Sequence, residues 1–335
     1  MTGRERVFAA LEHRQADRVP VYVWLFSTEA VKPVEAKYGS VDAFLDHVGV
    51  DLYQTFPEGG PIDKQAALDR RGASDQLQLT EPAYGQVLTL DEALEVPLTD
   101  PDDETIYAPV RRDVEHHKQQ RGRAIFCQTP GVFECANGYL GLQAALGYMA
   151  TEPQKMLALF RRLATWAKTY IDNCLELDVD VVHISDDWGE NGRLMFSPEM
   201  FRELIAPAER IHASHAKARG AYLSLHCDGY FACVLDELVT MGFDCVHPVQ
   251  ESAGMDLVHF KRSYGGKLCM YGGLDVRAVL GRGNLSRLRA EITRVMGIMR
   301  PGGGFIFCTS HTVPDYCSLE ELEYAYEVAL EVGKY

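Results

Sequence analysis

The run LSLHCDG, Leu223 to Gly229, ends an apolar stretch with a histidine and an aspartate two residues apart. Side chains alternate along a strand, so His226 and Asp228 share one face and Cys227 takes the other. An imidazole and a carboxylate so placed can bind a borderline metal such as Zn2+ or work as an acid–base couple; a histidine satisfied in a strand wall accounts for the same letters. His311 closes a second run, FIFCTSH, and supplies another imidazole. Two histidines and one carboxylate leave coordination positions open to substrate, the pattern of a catalytic metal, so His226, Asp228 and His311 form the expected ligand set.

Acids and amides end most of the other runs. ISDDWGENG carries Asp186 and Asp187 beside Trp188. One of the pair should face the pocket and the other cap a neighbouring element; Asp186 is taken as the catalytic acid, because burying two like charges raises one pKa. Asp187 and Trp188 join Glu58, Gln128, Gln250, Glu251, Tyr271 and Asp275 as expected substrate contacts, with Glu251 alternatively a further metal ligand and Asp275 alternatively a cap of the next helix. His247 lies earlier in its run and reads as structural.

Such residues need a frame that gathers the ends of distant runs. Eight apolar runs rich in β-branched and aromatic residues begin at Val19, Asp51, Ala124, Asp180, Ala221, Asp244, Leu268 and Phe305, and helical spacing follows most of them. That alternation predicts parallel βα units, and eight of them predict a (β/α)8 TIM barrel with its active site at the C-terminal strand ends. An open doubly wound sheet has the same periodicity. The whole chain reads as one barrel domain, with residues 60–115 as an insertion between the second and third strands that carries short strands around LTEPAYGQVLTL. Pro153 opens a long helix whose Met156, Leu157, Phe160, Leu163, Trp166 and Tyr170 have core spacing. Ser197 followed by Pro198 makes a helix start, and Ser318 with Glu321 fits a capping box.

The 335 residues are 47% hydrophobic, enough for a full core, and carry a formal net charge of -15. A field of that sign repels phosphate, so neither nucleic acid nor an anionic membrane is an expected partner. The N-terminal MTGRERVFAALEHRQADR mixes charges along an amphipathic helix and lacks the apolar stretch of a signal peptide, and no run reaches transmembrane length. Nine cysteines without a CxxC pair suit reduced packing thiols in a cytoplasmic protein. GxxxxGK[ST], GxGxxG in the right context and GxSxG are all missing, so phosphate cradles and a serine elbow are not expected.

Taken together, RERVFAALEHRQADRVPV, DDWG with FSPEMFRELIAPAERIHASHAKARG, LHCDG, HPVQESAGMDL, YGGLD and GGGFIFCTSHTVPD make the chain resemble the uroporphyrinogen decarboxylase superfamily, on its methyltransferase-like branch. The resemblance spans nearly the whole length and implies a (β/α)8 barrel. Decarboxylases of that superfamily hold propionates with arginines of an RQAGR motif after the first strand. Here RQADR, Arg14 to Arg18, precedes the strand, and the matching positions around Trp24 to Ala30 hold no basic residue. The methyltransferase branch uses zinc held by a His-x-Cys-Gly motif and a later cysteine; the matching residues are His226, Asp228 and His311. Carboxylate and imidazole in place of two thiolates make a harder site, suited to oxygen or nitrogen substrates. The resemblance therefore implies a methyltransferase or demethylase that passes methyl from a small ether or amine to a corrinoid carried by a partner protein, with Zn2+ as cofactor and a homodimer as assembly. A cofactor-independent decarboxylase and a ligand-binding barrel without turnover are the alternatives.

Overall fold

The computed structural model describes residues 1–62 and 88–335. Seven parallel strands form one curled sheet: β1 (Leu52–Thr55), β2 (Ala124–Pro130), β3 (Val181–Ser185), β6 (Tyr222–His226), β7 (Cys245–His247), β8 (Cys269–Leu274) and β9 (Phe305–Thr309), hydrogen-bonded in that order. A two-stranded hairpin, β4 (Gly189–Glu190) with β5 (Arg193–Leu194), rises from the loop after β3.

The first predicted strand is the seam of the barrel. Val21 bridges Phe307 in parallel, Tyr22 N donates to Phe307 O at 2.9 Å and Phe307 N donates to Pro20 O at 2.9 Å. On its other side Val21 O accepts from Asp51 N at 2.9 Å. The segment thus joins β9 to the start of β1 as an eighth stave and closes the ring, giving the expected (β/α)8 architecture. Pro20 lacks an N–H, which stops the ladder on one side, and on the other Tyr22 O and Trp24 N bond side chains, Tyr326 Oη and Thr309 Oγ1.

Aspartates at the starts of three runs repeat one device at the N-terminal end of the barrel. Asp51 Oδ2 accepts from Val21 N at 2.8 Å, Asp180 Oδ2 from Ile125 N at 2.9 Å, and Asp244 Oδ2 from Leu223 N at 2.7 Å. Each carboxylate also meets cations: Arg6 and Arg18 at Asp51, Arg4 and Lys118 at Asp180, Lys217 at Asp244. Arg18 of the RQADR motif therefore locks the barrel floor, far from the mouth where a substrate would sit.

The long helix runs Pro153–Glu176, and Met156, Phe160, Leu163, Trp166 and Tyr170 are buried at the predicted spacing, while Leu157 is half-buried. Ser197 caps its helix by accepting from Met200 N. Ser318 accepts from Glu321 N, but the box does not close, because the Glu321 carboxylate turns to Arg282 N and Gly283 N. Most of LTEPAYGQVLTL lies outside the described residues; its end is helical, since Thr89 caps Leu90–Glu95 with a full capping box. The described part of 60–115 continues through a 3-10 turn, Glu104–Tyr107, into the helix Ala108–Asp113. Trp166 Nε1 and Arg162 fasten it to the long helix by donating to Thr99 O and Ala93 O, both at 2.8 Å.

Candidate metal centre

Strand β6 alternates as its sequence predicts. Leu223 and Leu225 are buried among apolar side chains, Ser224 bonds His183 Nδ1 at 2.9 Å, and His226 ends the strand at the mouth. Asp228 follows on a loop that crosses the hairpin. At this crossing a Cβ on Gly189 would lie 2.4 Å from Asp228 O, and one on Gly229 would lie 2.5 Å from Gly189 C, so neither position has room for a side chain. Tyr230 N donates to Glu190 O at 2.9 Å, and Asp228 N donates to Asp187 Oδ1 at 2.7 Å.

These contacts bring Asp187, His226 and Asp228 together, with one ligand atom from each within 4.8 Å of the others. His226 Nε2 lies 3.7 Å from Asp187 Oδ1 and 3.8 Å from Asp228 Oδ1, and His311 Nε2 lies 3.7 Å from Asp228 Oδ2. Of the predicted ligands His226 and Asp228 meet, the third place is taken by Asp187, and His311 stands beside them against the other oxygen of Asp228.

The second ring nitrogen of His226 is fixed from behind. His226 Nδ1 and His247 Nδ1 are 2.8 Å apart, and His247 Nε2 is 3.1 Å from Thr309 O. Burial, followed by the neighbouring imidazoles, holds His247 well below its ordinary pKa, so it is neutral. A carbonyl only accepts, which places the His247 proton on Nε2 and leaves its Nδ1 to accept from His226 Nδ1–H. His226 therefore aims Nε2 at the two carboxylates. Trp24 stacks on His247 with centroids 4.3 Å apart and donates from Nε1 to Tyr271 Oη at 2.9 Å, pinning the relay from the seam.

A bare lone pair facing two carboxylate oxygens is repulsive, so a proton or a cation belongs between them. At 3.7 and 3.8 Å the contacts exceed hydrogen-bond length. Tetrahedral zinc with bonds of about 2.1 Å sets its ligands about 3.4 Å apart, close to this spacing. Asp228 Oδ1 is also buried without a hydrogen-bond partner among the described residues. The donors fit a divalent metal, with His247 as the outer partner that orients a metal-binding imidazole. Burial, with help from Asp187 and Glu134, pushes the Asp228 carboxyl up to about 6.

A second His–Asp group, Asp42 with His116 and His117, has comparable spacing but the wrong tautomer. Arg123 lies 3.0 Å from His117 Nδ1 and can only donate, so the His117 proton sits on Nε2, the atom that faces Asp42. That group is a hydrogen-bonded network, with His116 Nε2 against Asp42 Oδ2.

Several predicted site residues have other work. Asp186 is the cap of the pair rather than its pocket-facing acid: its carboxylate accepts from Phe133 N at 3.2 Å, Glu134 N at 2.6 Å and Trp188 Nε1 at 2.7 Å. Trp188 is wholly buried and cannot touch substrate. Tyr271 is equally buried, deep in the bore beside Phe126 and Tyr22. Glu251 is ion-paired with Arg294, and Asp275 caps a turn by accepting from Arg277 N and Ala278 N. Cys227 Sγ accepts from Trp188 N at 3.3 Å, on the face away from His226.

Gln250 does line the mouth, in a cavity of about 730 Å3 with Asp228 and His311. Gln128 accepts from Gln54 Nε2 at 2.6 Å and lines a neighbouring cavity of about 270 Å3 with Glu134, Tyr139, Tyr170 and Ser185. Glu58 lines a third cavity with Asp103 and Tyr139. Glu134 was not legible in the sequence. Its carboxylate is open to the cavity yet walled by protein; that enclosure and the charge of Asp187 push it up to about 7, against a 2.9 Å bond from Ser185 Oγ. The one signal for it is the strand-end Gly131 three residues earlier, where a Cβ would lie 2.3 Å from Asp186 Cβ.

Fold and site together define a (β/α)8-barrel protein with a candidate metal centre at its strand ends. The family model for uroporphyrinogen decarboxylase (URO-D) matches residues 133–332, and the chain belongs to that family. No protein of curated function matches it in sequence. Among solved structures, a methyltransferase from Methanosarcina mazei is similar over 99% of this chain and 99% of its own, with TM-score 0.70 and 17% identity, which establishes the shared fold. The 7,8-dihydropteroate synthase of Vibrio fischeri covers 94% of this chain and 92% of its own at 10% identity, with TM-score 0.37. The IOLI protein with a bound zinc atom covers 67% and 81% at 14% identity, with TM-score 0.38. Scores that low carry no argument.

Proposed function

We propose that the chain is a methyltransferase that moves a methyl group from a small methylated ether or amine to a corrinoid carried by a partner protein. The observation that carries this reading is the convergence of Asp187, His226 and Asp228, with His311 beside them, on one open mouth. The resemblance of the chain to corrinoid-linked methyltransferases supports methyl transfer, and carboxylate and imidazole in place of two thiolates favour an oxygen or nitrogen methyl donor over a thiol acceptor.

Asp187, His226 and Asp228 would hold Zn2+, and His311 borders the open side. Bound there, the ion would supply Lewis-acid polarisation of the heteroatom that bears the methyl group. His247 fixes the His226 tautomer, and Trp24 keeps the relay dry. When the C–heteroatom bond breaks, the bonding pair stays on the heteroatom, which then needs a proton. Glu134, whose carboxyl is pushed up to about 7 in the neighbouring cavity, would supply it. Gln250 offers an amide for orientation. The decarboxylase alternative loses support because both arginines of RQADR are engaged, Arg18 by Asp51 and Arg14 by Glu12, and no basic residue stands around Trp24 to Ala30.

Metal analysis of the purified protein, paired with methyl transfer to reduced cobalamin from a panel of methoxy and methylamino compounds, tests the reading. We expect about one zinc per chain, and methylcobalamin formation that His226→Ala and Asp187→Asn both abolish. A metal-free protein that transfers no methyl group, or transfer untouched by both substitutions, would overturn it.

A further inference from the structure

We propose that the cavity beside the centre is an anion subsite in which Arg277 holds a carboxylate of the substrate; this rests on the methyltransferase reading and narrows it to methylated acids. The cavity, about 730 Å3, has the size of a small-molecule site. Asp228 and His311 form one part of its wall, and Arg277, Val276 and the hairpin residues Glu190, Asn191 and Arg193 form another. Gly189 and Gly229, which cross backbone to backbone, line the floor between them.

The two guanidinium groups in this wall differ. Arg193 is paired with Glu190 at 3.0 Å and is neutralised in place. Arg277 makes no ion pair among the described residues: its one side-chain bond goes to the neutral amide oxygen of Asn191, at 3.3 Å. Asp275, two residues earlier, is the obvious counter-ion, but its oxygens are taken by the backbone N–H groups of Ser252, Arg277 and Ala278 at 3.2, 2.8 and 2.9 Å. Those bonds leave the Asp275 charge in place but occupy its oxygens, so the guanidinium makes no ion pair there and keeps most of its donors for the cavity. Its field reaches the centre, where it works against the burial that raises the Asp228 carboxyl.

In a chain of net charge -15, an anion would be repelled from a mouth that already holds the carboxylates of Asp187 and Asp228. An unneutralised arginine on the opposite wall reverses that locally, and its planar fork matches a carboxylate with two parallel hydrogen bonds. A substrate with a cationic end would meet the same charge as repulsion. The ligand that satisfies both walls presents a methylated heteroatom to the centre and a carboxylate to Arg277.

The test is binding, measured calorimetrically, of methoxyacetate, 3-methoxybenzoate and 4-methoxybenzoate against the corresponding neutral amides. Arg277→Gln is the test variant, and Arg193→Gln is the control on the same rim. We expect at least one carboxylate to bind at least ten-fold tighter than its amide, a gap lost in Arg277→Gln and kept in Arg193→Gln. Both arginines are exposed, so thermal melting should be unchanged. No preference for any carboxylate, or a preference that survives Arg277→Gln, would overturn the subsite. Transfer to reduced cobalamin is scored separately on the same compounds: discrimination without transfer removes the methyltransferase reading, and transfer without discrimination removes the subsite.

Discussion

Replacing His247 by phenylalanine isolates the relay behind the candidate metal centre. The ring that stacks under Trp24 at 4.3 Å is kept, while the acceptor for His226 Nδ1–H at 2.8 Å and the donor to Thr309 O at 3.1 Å are lost. His226 can then turn over, or carry its proton on Nε2 against the carboxylates. Loss of an outer partner of this kind lowers metal affinity by roughly 10–100-fold, or about 1.4–2.7 kcal/mol. Zinc competition against a chromophoric chelator reads that change directly. The orphaned Thr309 carbonyl and His226 donor should also lower stability, by about 1–3 kcal/mol each if both stay buried, so melting must be followed in parallel. His247→Asn returns an acceptor near the Nδ1 position and should recover part of the zinc affinity without the ring stack. A folded His247→Phe protein that binds zinc within two-fold of wild type would refute the tautomer argument.

Asp186→Ala strips the acceptor from two backbone N–H groups and the Trp188 indole, and should cost about 3 kcal/mol or more in urea denaturation; a stable but inactive protein would instead return Asp186 to catalysis. Burial and then Arg123 hold His117 at about 3, whereas the unfolded chain has it near 6.5. Its contribution to stability is thus complete above about pH 6.5 and is lost as pH falls toward 3, with a slope of up to about 1.4 kcal/mol per pH unit. Denaturation at pH 7.5 and 5.5 should show that loss in wild type and a flatter profile in His117→Phe; equal slopes would contradict it. Gly189→Ala puts a methyl 2.4 Å from Asp228 O and should lower zinc occupancy more than an alanine at Gly192, which has open space around it and only its φ of +77° against the substitution.

Parallel βα order and the His226–Asp228 pair were legible because period-two alternation is written directly into β6 and its flanks. The choice between Asp186 and Asp187 was not. Adjacent residues point oppositely, and which one faces the mouth depends on the N–H groups of a helix start, Phe133 and Glu134, more than 50 positions away. Glu251, Asp275 and Trp188 misled for a related reason: position at a strand end says nothing about whether a side chain bends inward, caps a turn or meets an arginine. The seam read as an ordinary strand, since Val19 to Leu25 has strand composition and only its partners show how sparse its pairing is. His247 was correctly placed as structural, but its bond to His226 needed coordinates.

The seam has a consequence beyond architecture. Trp24 belongs at once to the stave that closes the ring and to the stack that steadies His247, and its backbone N–H is tied to Thr309 Oγ1 at 3.1 Å while His247 bonds the Thr309 carbonyl. Barrel closure and the candidate centre therefore share residues, and for any ligand the centre binds the coupling is reciprocal: whatever favours a bound centre favours the shut ring, and loosening the first stave weakens binding by the same factor. The N-terminal stave is a latch whose strike plate is the candidate site.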